Sequence, residues 1–299
     1  MSESFAEFDA IGTRWQIDTP MDIAPEEKNR VLVLIHERIE EFDKHYSRFR
    51  DDSLVTEMSK KAGEYTLPED AKPMFDLYEK MYRITGGLMT PLIGQVLVDA
   101  GYDAEYSLQP KPLTVPPAWD EVLDYKYPKL TLKKPALLDF GAMGKGYLID
   151  IIGELLEKNG ISEYTVDAGG DIRHRGSELR VGLENPLDFT EALGIATIAD
   201  QSICGSAGNR RAWAQFHHIM NPATLSSPRD ILAVWAVAES TLLADALTTA
   251  LFFTEPQILY QHFAFEFLLM KADASVYYSP NFPGETFVPH YAENRRSIG

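Results

Sequence analysis

The stretch from Leu138 to Asp171 constrains the fold most. It reads as a short strand, a glycine-rich turn (Phe140-Gly-Ala-Met-Gly-Lys-Gly146), one long helix and a second strand ending in Gly169-Gly170-Asp171. Met143, Tyr147, Ile151, Leu155 and Leu156 recur at spacings of three and four, which paints an apolar face on the helix. Asn159-Gly160 ends it, because Gly readily takes the left-handed conformation that closes a helix. Lys145 is the one bulky polar side chain in the turn. Small residues there let a ligand approach the backbone, and a helix start offers unpaired amides and partial positive charge to an anion. The same glycines also suit plain tight packing of strand on helix. Neither GxxxxGK[ST] nor GxGxxG, the two common nucleotide fingerprints, is present.

Around this unit, Ile11 to Ile17 alternates like a strand and Pro25 to Phe42 reads as a helix. Helices are predicted from Leu67-Pro68 through Met81 and from Gln95 to Ala100. Residues 109 to 117 carry four prolines and read as a surface connection, since strand-like sequence resumes around Leu130-Thr-Leu132. Further on, Leu179–Glu184, Leu193–Ile198 and Ile231–Val237 read as strands, Ser202 to Arg211 as a small-residue turn and Ser240 to Phe252 as a helix. Ile258–Phe263 reads as a short helix, and Phe265–Met270 with Ala274–Tyr278 as a closing hairpin. Strands and helices do not alternate strictly, which favours an α+β fold over a doubly wound parallel sheet.

The net charge of −17 disfavours binding to nucleic acid or anionic membrane, so an anionic ligand needs local Lys, Arg or metal. No run approaches a membrane span, and no signal peptide is visible. The single cysteine, Cys204, excludes an internal disulfide and fits a reducing compartment, so a cytoplasmic location is expected.

Asp245 and Thr249 lie four residues apart on an otherwise apolar helix, which puts both oxygens on one face. A carboxylate and a hydroxyl suit a hard cation such as Mg²⁺. The alternative is that Asp245 pairs with a base and Thr249 bonds back to its own helix. His217 and His218 are adjacent, so on a strand they point to opposite faces and rarely share a metal. One of them is a candidate acid or base.

Taken in order, these blocks resemble the ApbE family of Mg²⁺-dependent FAD:protein FMN transferases. Asp139-Phe-Gly-Ala-Met-Gly-Lys-Gly146 is similar to DLGAIAKG and is followed by Asp167-Ala-Gly-Gly-Asp171. His218-Ile-Met-Asn-Pro222 is similar to HIIDP, and Ala244-Asp-Ala-Leu-Thr-Thr249 to ADALST. Weaker matches are Ile11-Gly-Thr13, Ser47-Arg-Phe49 with Ser53, and Gly86-Gly87 through Gly101-Tyr102.

The resemblance implies one catalytic domain over residues 1–299, with a T-fold-like α+β architecture of largely antiparallel sheets packed with helices. It implies that the Ala142 carbonyl, Asp245 and Thr249 hold Mg²⁺, and that Asp139 and Lys145 contact FAD. Ile11, Phe49, Leu88, Met89, Thr90 and Ile219 would line the flavin and its nucleotide tail. The implied reaction moves FMN from FAD to a Thr or Ser hydroxyl of an acceptor protein and releases AMP. Asp245 is the candidate proton acceptor and His218 a second acid–base candidate. The family's acceptor motif, Asp-x-x-Thr/Ser-Gly-Ala-Thr/Ser, does not occur in this chain. Thr90 and Asn221 stand where carboxylates are common, Leu225 where the family has Gly, and Ser59 where Asn is frequent. Leu225 is therefore expected to reshape the 223–230 loop. An Mg²⁺-dependent FAD pyrophosphatase and a non-catalytic FAD-binding protein are the alternative readings of the same site.

Overall fold

The computed structural model describes residues 4–209 and 211–287. They fall into two compact units, one within the segments Met1–His36, Lys145–Asn209 and Arg229–Gly299, the other within Glu37–Gly144 and Arg210–Pro228.

The first unit is built on an eight-stranded sheet. Its order is Ala6–Ala10, Thr13–Asp18, Tyr164–Ala168, Asp171–Arg175, Ser202–Ala207, Ile231–Ala238, Glu266–Lys271, Val276–Tyr278. Every neighbouring pair is antiparallel. Two of the hairpins close on two-residue turns with positive φ: Ile11-Gly12 at 46° and 74°, Gly169-Gly170 at 65° and 92°. Positive φ at both central residues matches the twist of the flanking strands. A three-stranded sheet of Gly284–Thr286, Ala192–Ile198 and Leu179–Glu184 contributes Leu183, Leu193 and Ile198 to a core shared with Ile203, Val237 and Leu268.

Helix Gly144–Lys158 buries Leu148, Ile149, Ile152 and Leu156 completely, whereas Ile151 and Leu155 are half-buried. Met143, Tyr147 and Leu156 are buried as expected, so the buried face is broader than the predicted stripe and extends over Leu148, Ile149 and Ile152. This helix is apolar over more than a stripe, so periodicity alone leaves its orientation open. Two local expectations fail. Leu138–Phe140 forms no strand, and Ser202–Ala207 is a strand where small residues suggested a turn. The smallness there serves packing: a Cβ on Gly205 would sit 3.0 Å from the Trp235 indole nitrogen on the neighbouring strand.

Helix Thr241–Ala250 is fastened at its first turn. Ser240 accepts from Leu243 N at 3.3 Å, and Asp150 accepts from Thr241 N at 3.0 Å and Leu242 N at 2.7 Å. The same Asp150 carboxylate pairs with Arg173 at 2.7 Å, and Arg173 also receives Tyr164 as a partner at 2.8 Å. Both ions are nearly buried.

The second unit centres on helix Ala71–Ile84 and the sheet Gly63–Thr66, Lys129–Leu132, Leu123–Lys126, with Lys129–Leu132 in the middle. Phe140 packs against the rings of Tyr46, Phe75 and Tyr78 at 5.3–5.6 Å. That contact explains why Leu138–Phe140 is held without strand pairing.

Asp150→Ala removes an ion-pair partner and two helix caps at once. It should cost about 3–5 kcal/mol, because the Arg173 charge stays buried. Urea unfolding measures this; an unchanged midpoint would show that the cap and ion pair contribute nothing.

Candidate functional site

In the first unit Gly146 meets the Asp245 helix. A Cβ on Gly146 would fall 2.3 Å from the Thr241 carbonyl oxygen and 2.7 Å from the Asp245 Cβ. Only glycine permits this approach. It places the Gly146 N–H 2.9 Å from Asp245 Oδ2. Gly146 lies in the first turn of its helix, where amides lack an intrahelical acceptor. Asp245, only 5% exposed, supplies one.

Lys145 sits beside this contact. Its ammonium pairs with the buried Asp171 carboxylate and donates to the Ala168 carbonyl at 3.1 Å. Burial opposes its charge, but the Asp171 and Asp245 carboxylates outweigh that and hold its pKa above the ordinary lysine range. Asp171 also accepts from Gly205 N at 3.1 Å. Cys204 is fully buried; burial first, then Asp171 and Asp245, push its thiol well up, so it stays protonated and inert. Lys145, Asp171 and Asp245 together carry one excess negative charge, which a cation would neutralise.

The expected hydroxyl arrangement needs refinement. Thr248 is the residue that bonds back to its helix, to the Asp245 carbonyl at 2.8 Å, and it also meets Ser206 Oγ at 2.9 Å. Thr249, half-buried, is one turn beyond Asp245. The carboxylate of Asp245 and the hydroxyl of Thr249 are hard oxygen donors, the chemistry that a hard cation such as Mg²⁺ takes. Among the described residues no three His, Cys, Asp or Glu side chains converge on a common metal position. The implied set contains a single carboxylate.

In the second unit Asp139 accepts from Arg48 Nε at 2.5 Å and from Gly141 N at 2.8 Å. Arg48 Nη1 donates to the Tyr102 carbonyl at 2.8 Å. Phe49 lies under the Arg48 guanidinium, 4.1 Å from centroid to Cζ. Ala142 and Leu88 are half-buried, Met89 is 2% exposed and Ile219 3% exposed. Thr90 caps the short helix Pro91–Ile93 by accepting from Leu92 N at 3.2 Å, so its side chain has a structural task. In the first unit, Ile11 occupies a hairpin turn.

The two histidines divide their roles. His217 Nε2 lies 2.8 Å from the Pro228 carbonyl and its Nδ1 3.3 Å from Ile219 N. A neutral ring protonated on Nε2 satisfies both, which makes His217 a brace. His218 is half-buried, and its backbone N–H bonds the Arg211 carbonyl at 3.2 Å.

Asn221 and Leu225, the two departures in this loop, each have a structural task. Asn221 Oδ1 accepts from Ala223 N at 2.9 Å and Thr224 N at 3.1 Å, a task an amide oxygen performs as a carboxylate does. Leu225 adopts φ +54°, in the left-handed region that glycine favours. Its side chain packs against the cluster of Trp213, Phe216 and Met220, which offsets the cost of the left-handed conformation, about 1–2 kcal/mol.

Arg48, Asp171 and Tyr102 are site residues that the local sequence does not reveal. Arg48 and Asp171 lie inside the matching blocks, but nothing local predicts which carboxylate each would meet.

Gly146→Ala tests the close approach. In an ordinary helix this change stabilises by about 0.5–1 kcal/mol. Here it forces the helices apart and should destabilise by about 1–3 kcal/mol. Thermal unfolding gives the sign, and a raised melting temperature would refute the contact.

The sequence pattern of the ApbE family matches residues 11–265. A FAD:protein FMN transferase of Klebsiella pneumoniae (strain 342) is 30% identical over 138 residues, 44% of this chain and 43% of the relative. One from Buchnera aphidicola subsp. Schizaphis graminum (strain Sg) is 22% identical over 280 residues, 81% of this chain and 77% of the relative. The chain spans only 43% and 57% of the lengths of the Klebsiella and Haemophilus influenzae relatives. The crystal structure of the ApbE protein from Thermotoga maritima superposes with TM-score 0.79 at 20% identity, covering 94% of this chain and 99% of that one. The flavin transferase ApbE from Vibrio cholerae gives 0.76 at 19% identity, covering 93% and 97%. These structures share the mixed helix and antiparallel-sheet fold. With its pattern matched from residue 11 to residue 265, the chain belongs to the ApbE family.

Proposed function

We propose that this protein is a flavin transferase that moves FMN from FAD to a Thr or Ser hydroxyl of an acceptor protein and releases AMP. The observation that carries the reading is the buried Asp245 carboxylate held against the Gly146 amide beside Lys145, in a chain matched to the family over residues 11–265. Asp245, Thr249 and the Ala142 carbonyl would hold Mg²⁺, and the whole chain would act as one catalytic domain. When bound, the metal would supply charge neutralisation at the pyrophosphate, the main requirement of phosphoryl transfer.

This chain's residues account for the rest. The acceptor oxygen bonds to the FMN phosphorus, the bond from that phosphorus to the bridging oxygen breaks, and AMP departs with that oxygen. The hydroxyl proton passes to a base, for which Asp245 is the first candidate and His218 the second. Lys145 meets the phosphates while Asp171 and the Ala168 carbonyl keep its ammonium oriented. Asp139, Phe49, Leu88, Met89, Thr90, Ile219 and Ile11 form the flavin and nucleotide environment. The acceptor carries the Asp-x-x-Thr/Ser-Gly-Ala-Thr/Ser motif. A cytoplasmic setting is part of this reading, and the single buried thiol supports it. Among the described residues no helix is long and apolar enough to cross a membrane.

The test is mass spectrometry of a peptide bearing the motif after incubation with protein, FAD and Mg²⁺. A gain of one FMN, abolished by EDTA, is the expected result. Free FMN and AMP without adduct would replace the reading with a pyrophosphatase, and binding without turnover with a storage protein. Asp245→Ala should lower transfer by about 100-fold or more, the worth of about 3 kcal/mol of charge stabilisation; normal activity would remove Asp245 from the site.

Lys145→Ala should weaken FAD binding about tenfold and leave riboflavin binding nearly unchanged, because only FAD carries phosphates. The ratio of the two affinities is the readout, since it is insensitive to any loss of folded protein when Asp171 loses its partner. An unchanged ratio would exclude Lys145 as a phosphate contact.

A further inference from the structure

Four residues of helix Gly144–Lys158 form one stripe. Gly146, Asp150, Gly153 and Glu157 recur at spacings of four, three and four, so they share a face. Gly153 makes room in it: a Cβ there would fall 2.6 Å from Arg173 Nε and 2.6 Å from the Tyr164 hydroxyl. Arg173 fills that room and is held by three bonds, Nε to the Tyr164 hydroxyl at 2.8 Å, Nη1 to Asp150 at 2.7 Å and Nη2 to Glu157 at 3.2 Å. Tyr164 in turn donates to Glu157 at 2.7 Å. A buried ion pair bonded in this way fixes orientation more than it adds stability, because neither ion can move without stranding the other.

Asp150, so oriented, reaches the helix that carries Asp245. Its Oδ1 accepts from Thr241 N and its Oδ2 from Leu242 N. Thr241 is fixed on two further sides. Its hydroxyl meets Ser202 Oγ at 2.9 Å, and its carbonyl accepts from Cys204 Sγ at 3.6 Å. The two helices run in opposite directions along this contact. Asp150 meets residues 241 and 242, and Gly146, four residues before Asp150, donates to Asp245, four residues after Thr241. Four residues are about 6 Å of rise on either helix. The spacings match, so both contacts form together and a slip of one helix along the other breaks both.

We propose that Asp150, aimed by Arg173, is a positioning residue for Asp245: it sets where along the contact the Asp245 carboxylate stands, and with it the affinity for a divalent cation. This inference rests on the reading of Asp245 as an Mg²⁺ ligand above and adds the residues that place it.

The test measures Mg²⁺ affinity by titration calorimetry, melting temperature and FMN transfer for the full chain and for Asp150→Asn, Arg173→Lys and Ser240→Ala. Asp150→Asn keeps the size and one acceptor oxygen, loses the charge that holds Arg173 and sets an amide where an oxygen accepted. Mg²⁺ affinity should fall about tenfold, the lower end of what partners behind a metal ligand contribute. Arg173→Lys keeps both helix caps but loses the planar fork, so a smaller loss in the same direction is expected. Ser240→Ala is the control: it removes the bond to Leu243 N, which lies within its own helix end and does not involve Gly144–Lys158. It should lower the melting temperature and leave Mg²⁺ affinity unchanged. Wild-type affinity in Asp150→Asn, or in Arg173→Lys should Asp150→Asn not fold, would overturn the proposal. So would a loss in Ser240→Ala as large as in Asp150→Asn, since affinity would then only follow helix stability. Asp245→Ala separates this inference from the reading beneath it. Mg²⁺ binding that is lost in Asp245→Ala but kept in Asp150→Asn would sink this inference alone. Binding that depends on both residues, in a protein that transfers no FMN, would sink the transferase reading alone. Binding indifferent to Asp245→Ala, or absent from the wild type, would overturn both.

Discussion

The contact between helix Gly144–Lys158 and helix Thr241–Ala250 governs the first unit. Each helix gives the other a carboxylate. Asp150 satisfies the first amides of the second helix, and Asp245 satisfies an amide in the first turn of the first. Helix starts are electropositive and short of acceptors, so both exchanges are favourable. Gly146 makes them reachable, because any Cβ there would strike the Thr241 carbonyl. Asp245 is therefore both a structural cap and the leading candidate ligand, and its position follows from packing before any ligand arrives.

Buried charge around this contact is arranged in linked pairs. Arg173 is matched by Asp150, and Lys145 by Asp171. Pairing inside a protein gives little net stability, but it fixes orientation strongly, because breaking one partner strands the other. Lys145 is thus a fixed cation whose direction is set by Asp171 and the Ala168 carbonyl. Preorganisation of this kind lets charge stabilisation act without reorientation during reaction.

The second unit solves a different problem. Its ionic element, Arg48 with Asp139, is walled by aromatic rings. The loop after His217 shows how two residues set a backbone. Asn221 holds the turn through its amide oxygen, and Leu225 takes a left-handed φ while adding apolar contact. The physical requirement at these positions is a backbone shape and an acceptor, which more than one residue type meets.

Much of the architecture was legible in the residues. The long central helix, its Gly160 stop, the Asp245–Thr249 spacing and the α+β class all follow from periodicity and local conformational preference. Those are properties of neighbours in sequence, so a sequence contains them. The full breadth of the buried helix face, the strand at Ser202–Ala207 and the absence of one at Leu138–Phe140 were not legible. Each depends on what packs opposite: Trp235 against Gly205, and Tyr46, Phe75 and Tyr78 against Phe140. The same holds for the site. Sequence alone determined which chemical groups the chain carries and the spacing of Asp245 and Thr249 on one helix. Only the tertiary structure decided that Lys145 belongs to Asp171, that Asp245 faces Gly146 and that Arg48 belongs to Asp139, because ion pairs between distant segments are chosen by packing geometry and not by local sequence.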